Sequence, residues 1–295
     1  MMDQNNFLLL EGLIRTFKNE NEITNLDDSE LFEIFSMYNL TKDFELTISE
    51  LNECVVDGSL DGGIDGFVLL INGKYVYSLE DIGDIKFSET TNINVFIIQV
   101  KCGQTFKEDV LNNLHISLPL ILDLSLSYDG LSKRFNNSVL EKIMIFRDLW
   151  DKSAKHRCTF RLNYYYVSKG DAKQLNDPIK SKRDQILEMS KDKIYGATIN
   201  FDFIGARELL DLHNKLITYR LSINFKETPL PISFNKEIGF IGAATLYDYY
   251  NLIVDERNTI REHIFEDNIR HFQGNVDVNK KIAKRSCTHI IELVS

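Results

Sequence analysis

The sequence predicts an α/β domain, a mixed central sheet flanked by helices on both faces, followed by the start of a second domain. Three observations carry that prediction. Apolar runs of strand length alternate with stretches whose apolar residues recur at helical spacing. Glycine and aspartate clusters punctuate the joins. Hydrophobic residues make up 43% of the 295, interrupted by only four prolines, which is enough to bury a sizeable core.

Residues 5–20 and 29–39 are predicted helices, the second (SELFEIFSMYN) following Asp27, Asp28 and Ser29, whose short polar side chains cap a first turn. A third helix is predicted over 47–54. The pattern then changes: DGSLDGG is a turn, Ile64 to Ile71 is an apolar run of strand length, and Asn72-Gly73 signals a hairpin with Lys74 to Ser78 returning. After an acidic loop at 80–92, NVFIIQVK (94–101) reads as a strand buried on both faces. Helices at 106–124 and 138–153 lead to the aromatic strand FRLNYYYVS (160–168), then helix 179–192, strand 197–204, helix 205–216 and a strand candidate from Lys215 to Phe225. Pro229 and Pro231 break the periodicity in ETPLPISFN (227–235), so residues 1–226 are expected to form the first domain and 236–295 the start of the second.

A formal net charge of −10 argues against a protein that coats nucleic acid through a uniformly basic surface. The distribution is more informative. Residues 1–130 carry 7 basic against 23 acidic side chains, residues 131–193 carry 15 against 8, and the remainder 12 against 13. An acidic stretch followed by a basic one suits a site that gathers a divalent cation and then receives a polyanion, although a solvated helical face is the plainer explanation. No apolar window is long enough for a membrane span, and MMDQNNFLLLEGLI is acidic where a secretory signal is basic, so a cytoplasmic location without a membrane partner is expected. The four cysteines form no CxxC pair, and the six histidines show no metal-ligand spacing, so none is assigned to chemistry.

Two segments invite a chemical reading: DGGIDGF (61–67), leading into the first strand, and IIQVKCG (97–103), closing the third. Asp65 and Lys101 are charges set in apolar runs, which costs several kcal/mol unless a partner or an ion meets them. Phosphodiester hydrolysis needs a carboxylate for a divalent ion, a second ligand beside it, and a cation to activate water or offset growing negative charge. Asp65, Gln99 and Lys101 supply those three. In a strand, 99 and 101 share a face while Val100 points away, leaving its carbonyl near the edge. Asp57 and Asp61 are read as turn formers, with ligation the lesser alternative for Asp61. Gly62 and Gly63 build no phosphate loop, because neither GxGxxG nor Gly-Lys-Ser/Thr is present. Tyr164, Tyr165 and Tyr166 are read as core in preference to a base-stacking platform.

These residues resemble the D…(D/E)xK pattern of PD-(D/E)XK nucleases, in the variant with glutamine at the middle acidic position seen in Mrr-type restriction endonucleases. The GGIDG turn resembles the same branch. The series VDGSLDGGIDGF, LLINGK, VFIIQVK, TFKEDVLNNL, LNYYYVSKGD, FDFIGARELLDLH and HIFEDNIRHFQGNVDVNKKI is similar, in order and spacing, to AIPR-type abortive-infection phage-resistance proteins. The resemblance implies a restriction-endonuclease-like nuclease at the N-terminus serving phage defence. Asp65 and Gln99 would then be metal ligands, the Val100 carbonyl a third, Lys101 the catalytic lysine, and Mg²⁺ or Mn²⁺ the cofactor. Nucleic acid is the implied partner, DNA before RNA, with a homo-oligomer as a further expectation. Glutamine in place of an acid removes one negative charge, which weakens ion binding.

The superfamily often adds a helix glutamate, and Glu33 in LFEIF resembles it, with Glu30, Glu50 and Glu53 as rivals; a helical wheel puts Glu33 opposite the apolar stripe of Leu31, Phe35 and Tyr38. Lys133, Arg134, Lys155 and Arg157 are candidates for the nucleic-acid backbone on charge alone. Family members continue well beyond the NVDVNKKI segment, whereas thirteen residues follow it here, so a truncated or frameshifted reading of a longer gene is expected. The competing class is a non-catalytic nucleic-acid-binding or regulatory module, or a remnant of a longer defence protein.

Overall fold

The structure, a computed structural model, describes residues 4–56, 58–83, 85–215, 223–234 and 237–254. The chain divides into two units, Met1–Ile217 and Thr218–Ser295, so the division falls before the proline-bearing stretch at 227–235.

The first unit opens with α1 (Gln4–Glu20), α2 (Asp28–Leu40) and α3 (Ile48–Cys54), then β1 (Gly66–Ile71) and β2 (Lys74–Tyr75). A short helix α4 (Leu79–Gly83) precedes β3 (Asn92–Lys101), which α5 (Glu108–Ile121), α6 (Tyr128–Ser132) and α7 (Asn137–His156) follow. The unit closes with β4 (Thr159–Ser168), α8 (Asp177–Lys193), β5 (Thr198–Ile204) and α9 (Ala206–Asn214). The sheet runs β2-β1-β3-β4-β5, antiparallel from β2 to β3 and parallel from β3 to β5. The mixed sheet expected from the sequence is present.

Strand periodicity of two sorts the apolar side chains into two cores. Phe67, Leu69, Val95 and Ile97 join Leu111 and Leu114 of α5 and Leu140 and Ile143 of α7 on one face. Val68, Leu70, Phe96, Ile98 and Val100 join Leu10 of α1 and Phe32 and Phe35 of α2 on the other. Because helices cover both faces, all six residues of β1 are buried, which is why that segment reads as an unbroken apolar run. Gly66 lets α2 approach: a Cβ there would stand 2.6 Å from Met37 Sδ.

Local chemistry explains the helix limits. Asp27 and Glu30 form a capping box that starts α2, and Asn136 caps α7 by accepting from Val139 N–H. The loop expected at 80–92 instead begins in α4, because Asp81 Oδ2 accepts from the N–H groups of Tyr77 (2.8 Å) and Ser78 (2.9 Å). No side chain caps α5, which begins at Glu108; the Lys107 N–H goes to Tyr166 Oη at 3.0 Å.

In the second unit, β6 (Leu230–Phe234) and β7 (Glu237–Ile241) form an antiparallel hairpin ahead of α10 (Leu246–Ile253). Pro231 is tolerated because a two-stranded sheet is all edge. Most of the strand candidate at 215–225 and the whole segment at 263–282 lie outside the described residues. No described helix is long and apolar enough to cross a membrane.

Candidate active site at the end of β3

Since β1 runs antiparallel to β3, the residue before β1 sits beside the end of β3. The Asp65 N–H donates to Ile98 O at 2.9 Å, which fixes the carboxylate across from Gln99, Val100 and Lys101. Asp65 has the parity of Phe67, and Gln99 and Lys101 that of Ile97, so all three face α5.

Asp65 is 4% exposed and is held by three donors. Gln99 Nε2 reaches Oδ2 at 2.5 Å and the Val100 N–H reaches the same oxygen at 2.6 Å. Lys101 Nζ lies 3.2 Å from Oδ2 and 3.5 Å from Oδ1. Burial pushes the Asp65 carboxyl above the ordinary carboxylate range; the Lys101 charge and the Val100 N–H pull it back, and the charge of Asp61 pushes it further up.

A hollow of about 180 Å³ opens here, lined by Asp61, Gly63, Gln99, Lys101 and the first two turns of α5 with Asp109 and Asn113. Gln99 is 3% exposed, and its Oε1 has no hydrogen-bond partner. Leaving a buried acceptor unmade costs roughly 1–3 kcal/mol, so its place on the wall of a hollow asks for an occupant. A strand residue points its N–H and C=O to the same side, so the Val100 carbonyl faces the Asp65 side as its N–H does. Among the described residues there is no group of three or more His, Cys, Asp and Glu placed to hold a metal ion. A magnesium-like ion manages with one or two carboxylates plus waters, and a carboxylate with an unpaired amide oxygen is an oxygen set that fits it.

The glycine turn is built for close approach. Asp61 Oδ1 accepts from Gly63 N–H at 2.7 Å, the turn-forming bond expected of it. Gly63 has φ +79°, and a Cβ there would come within 2.8 Å of Asn113 Cβ and 3.0 Å of Leu114 N, so the turn lies directly on α5.

Glu33 is 8% exposed, which corrects the wheel's expectation of an outward side chain. The wheel assumes one packed face, whereas α2 touches α1, α3, α9 and β3. The helix starts beside the end of β3, with Ser29 Oγ 3.6 Å from Cys102 Sγ, and Glu33 stands one turn further along. Its apolar neighbours belong to the core on the face away from Gln99 and Lys101. Of its rivals, Glu30 closes the capping box of α2 at 2.8 Å, Glu50 caps α3 at Thr47 at 2.8 Å, and Glu53 is exposed.

The four basic candidates are split. Lys133 and Arg134 precede Asn136, whose N–H meets Leu60 O at 3.0 Å, so they flank the glycine turn at the site's end of the sheet. Lys155 and Arg157 do not join them. They sit at the far end of α7, a 20-residue helix about 30 Å long, where Arg157 pairs with Glu89 at 3.4 Å and Lys155 with Asp151 at 2.5 Å. Sequence reasoning missed Lys169, Lys173 and Arg207, which line a hollow of about 80 Å³ just past the ends of β4 and β5. Lys169 is 2.7 Å from Glu11 Oε1 and 4.8 Å from the centre of the Phe32 ring. The signal that finds them is position, since loops after parallel strands gather at one edge. Tyr164 and Tyr166 are fully buried, as expected of core residues.

Fold and site together define an α/β protein with a carboxylate, an amide and a lysine converging at the end of the central strand of a mixed sheet. The chain matches no family model, no curated protein and no solved structure.

Proposed function

We propose that this chain is a metal-dependent nuclease of the PD-(D/E)XK type, cutting DNA rather than RNA, in the phage-defence setting that the AIPR resemblance implies. The observation that supports this reading above all others is the convergence of Asp65 and Lys101, 3.2 Å apart, beside a buried Gln99 oxygen without a partner.

Asp65, Gln99 Oε1 and the Val100 carbonyl would hold Mg²⁺ or Mn²⁺, which supplies Lewis-acid polarisation of a phosphoryl oxygen and a more acidic water. Lys101, its side chain 45% exposed, reaches from the carboxylate toward the hollow, where its ammonium orients water and offsets charge developing on phosphorus. The Val100 N–H fixes Asp65 in place without depending on solvent. Lys133 and Arg134 on one side, and the exposed Lys173 and Arg207 on the other, offer cations to the phosphodiester backbone.

Supercoiled plasmid and structured RNA, each incubated with the full chain in Mg²⁺, Mn²⁺ or EDTA, test the reading. Metal-dependent nicking of plasmid, falling at least a hundredfold in Lys101→Ala and Asp65→Ala, is the expected result. Gel retardation without cutting in any metal would replace the nuclease with a binding module.

A further inference from the structure

We propose that Asp61, beyond forming its turn, is the second carboxylate arm of the cation site, taking the place of the acid that Gln99 lacks. The inference rests on the nuclease reading for its purpose, and on its own geometry for its residues. Asp61 lines the same hollow as Gln99 and Lys101. Its Oδ1 is engaged by the Gly63 N–H at 2.7 Å, and no described residue donates to its Oδ2. The Asp61 carboxylate and the Lys101 ammonium therefore share the hollow with Gln99, with the exposed Asp109 at its rim and Asp65 bonded to Gln99 and Lys101 behind it.

An acidic turn alone would not make a site. The independent observation is Gln99 Oε1, buried to 3% residue exposure, without a hydrogen-bond partner and on the wall of that hollow. No group among the described residues donates to this oxygen, and a hydrated cation drawn by the Asp61 carboxylate would meet it either directly or through one of its waters. The turn also anchors Asp61 through one of its oxygens. Its anchored oxygen and the left-handed Gly62 and Gly63 leave the carboxylate little freedom, so an ion meets a ligand already ordered.

Mn²⁺ titrated into the full chain, followed by electron paramagnetic resonance and by calorimetry without nucleic acid, tests this. Asp61→Asn keeps an oxygen for the Gly63 N–H and so preserves the turn, which its melting temperature checks. The expected result is a tenfold or greater loss of Mn²⁺ affinity in Asp61→Asn, loss of binding in Asp65→Asn, less than threefold change in Asp109→Asn, and tighter binding in Gln99→Glu. Wild-type affinity in Asp61→Asn with binding lost in Asp65→Asn would overturn the role of Asp61 and leave the nuclease reading standing. Equal losses in Asp61→Asn and Asp109→Asn would reduce the effect to net charge and overturn ligation. No binding by the unaltered chain would remove the cation site and the nuclease reading together.

Discussion

Asp65 pairs with a lysine and still titrates above the ordinary carboxylate range, because burial outweighs the partner. The folded protein thus holds this proton more tightly than the unfolded chain does. The stability linked to Asp65 is full below its unfolded value of about 3.9 and is lost as pH rises through the elevated folded value. Urea unfolding in EDTA between pH 4 and 8 should show that decline, worth about 1.4 kcal/mol for each pH unit by which the pKa is elevated, and Asp65→Asn should remove it. Identical pH slopes in the two proteins would contradict this account. Asp65, Gln99 and Lys101 were legible from the sequence because charged and polar residues inside apolar runs cost energy that something must repay. The bare oxygen of Gln99 was not legible, since only the packed site shows which of its two polar ends finds a partner.

At the level of elements, the site depends on how closely the glycine turn lies on α5. Gly63→Ala adds a methyl group where Asn113 Cβ would be 2.8 Å away, at a φ of +79° that disfavours side chains. Stability should fall by about 2–4 kcal/mol in a urea melt, and nicking should fall with it as Asp61 and Asp65 shift. A melt within about 0.5 kcal/mol of the parent would show that the turn does not need its glycine. Strong periodicity made β1, β3 and α7 readable, with limits close to those observed. The short α4 was not, because one aspartate catching two N–H groups starts it. Glu33 was misplaced on the wheel because α2 is enclosed by several neighbours, a tertiary fact that a helical repeat does not encode. Lys155 and Arg157 share only their charge with Lys133 and Arg134, and a 20-residue helix carries the two pairs apart.

On the scale of the whole molecule, both cores and every residue of the proposed site lie within Met1–Ile217. A chain ended at Ile217 should therefore melt cooperatively by circular dichroism and keep metal-dependent nicking within about tenfold of the full chain. A broad, non-cooperative melt would show that Thr218–Ser295 is needed to fold the first unit. The mixed sheet was predictable because antiparallel hairpin signals precede alternating strands and helices. The division at Ile217 was not, since proline at 229 and 231 marks a two-stranded hairpin as readily as a linker. The amide of Val100 is given to a side chain, where a regular ladder would give it to the neighbouring backbone. Strand register and the seat of the Asp65 carboxylate are consequently fixed by one and the same bond. A slip of β1 against β3 would carry Asp65 away from Gln99 and Lys101, whereas the loops behind β4 and β5 can change in length and charge without moving that corner.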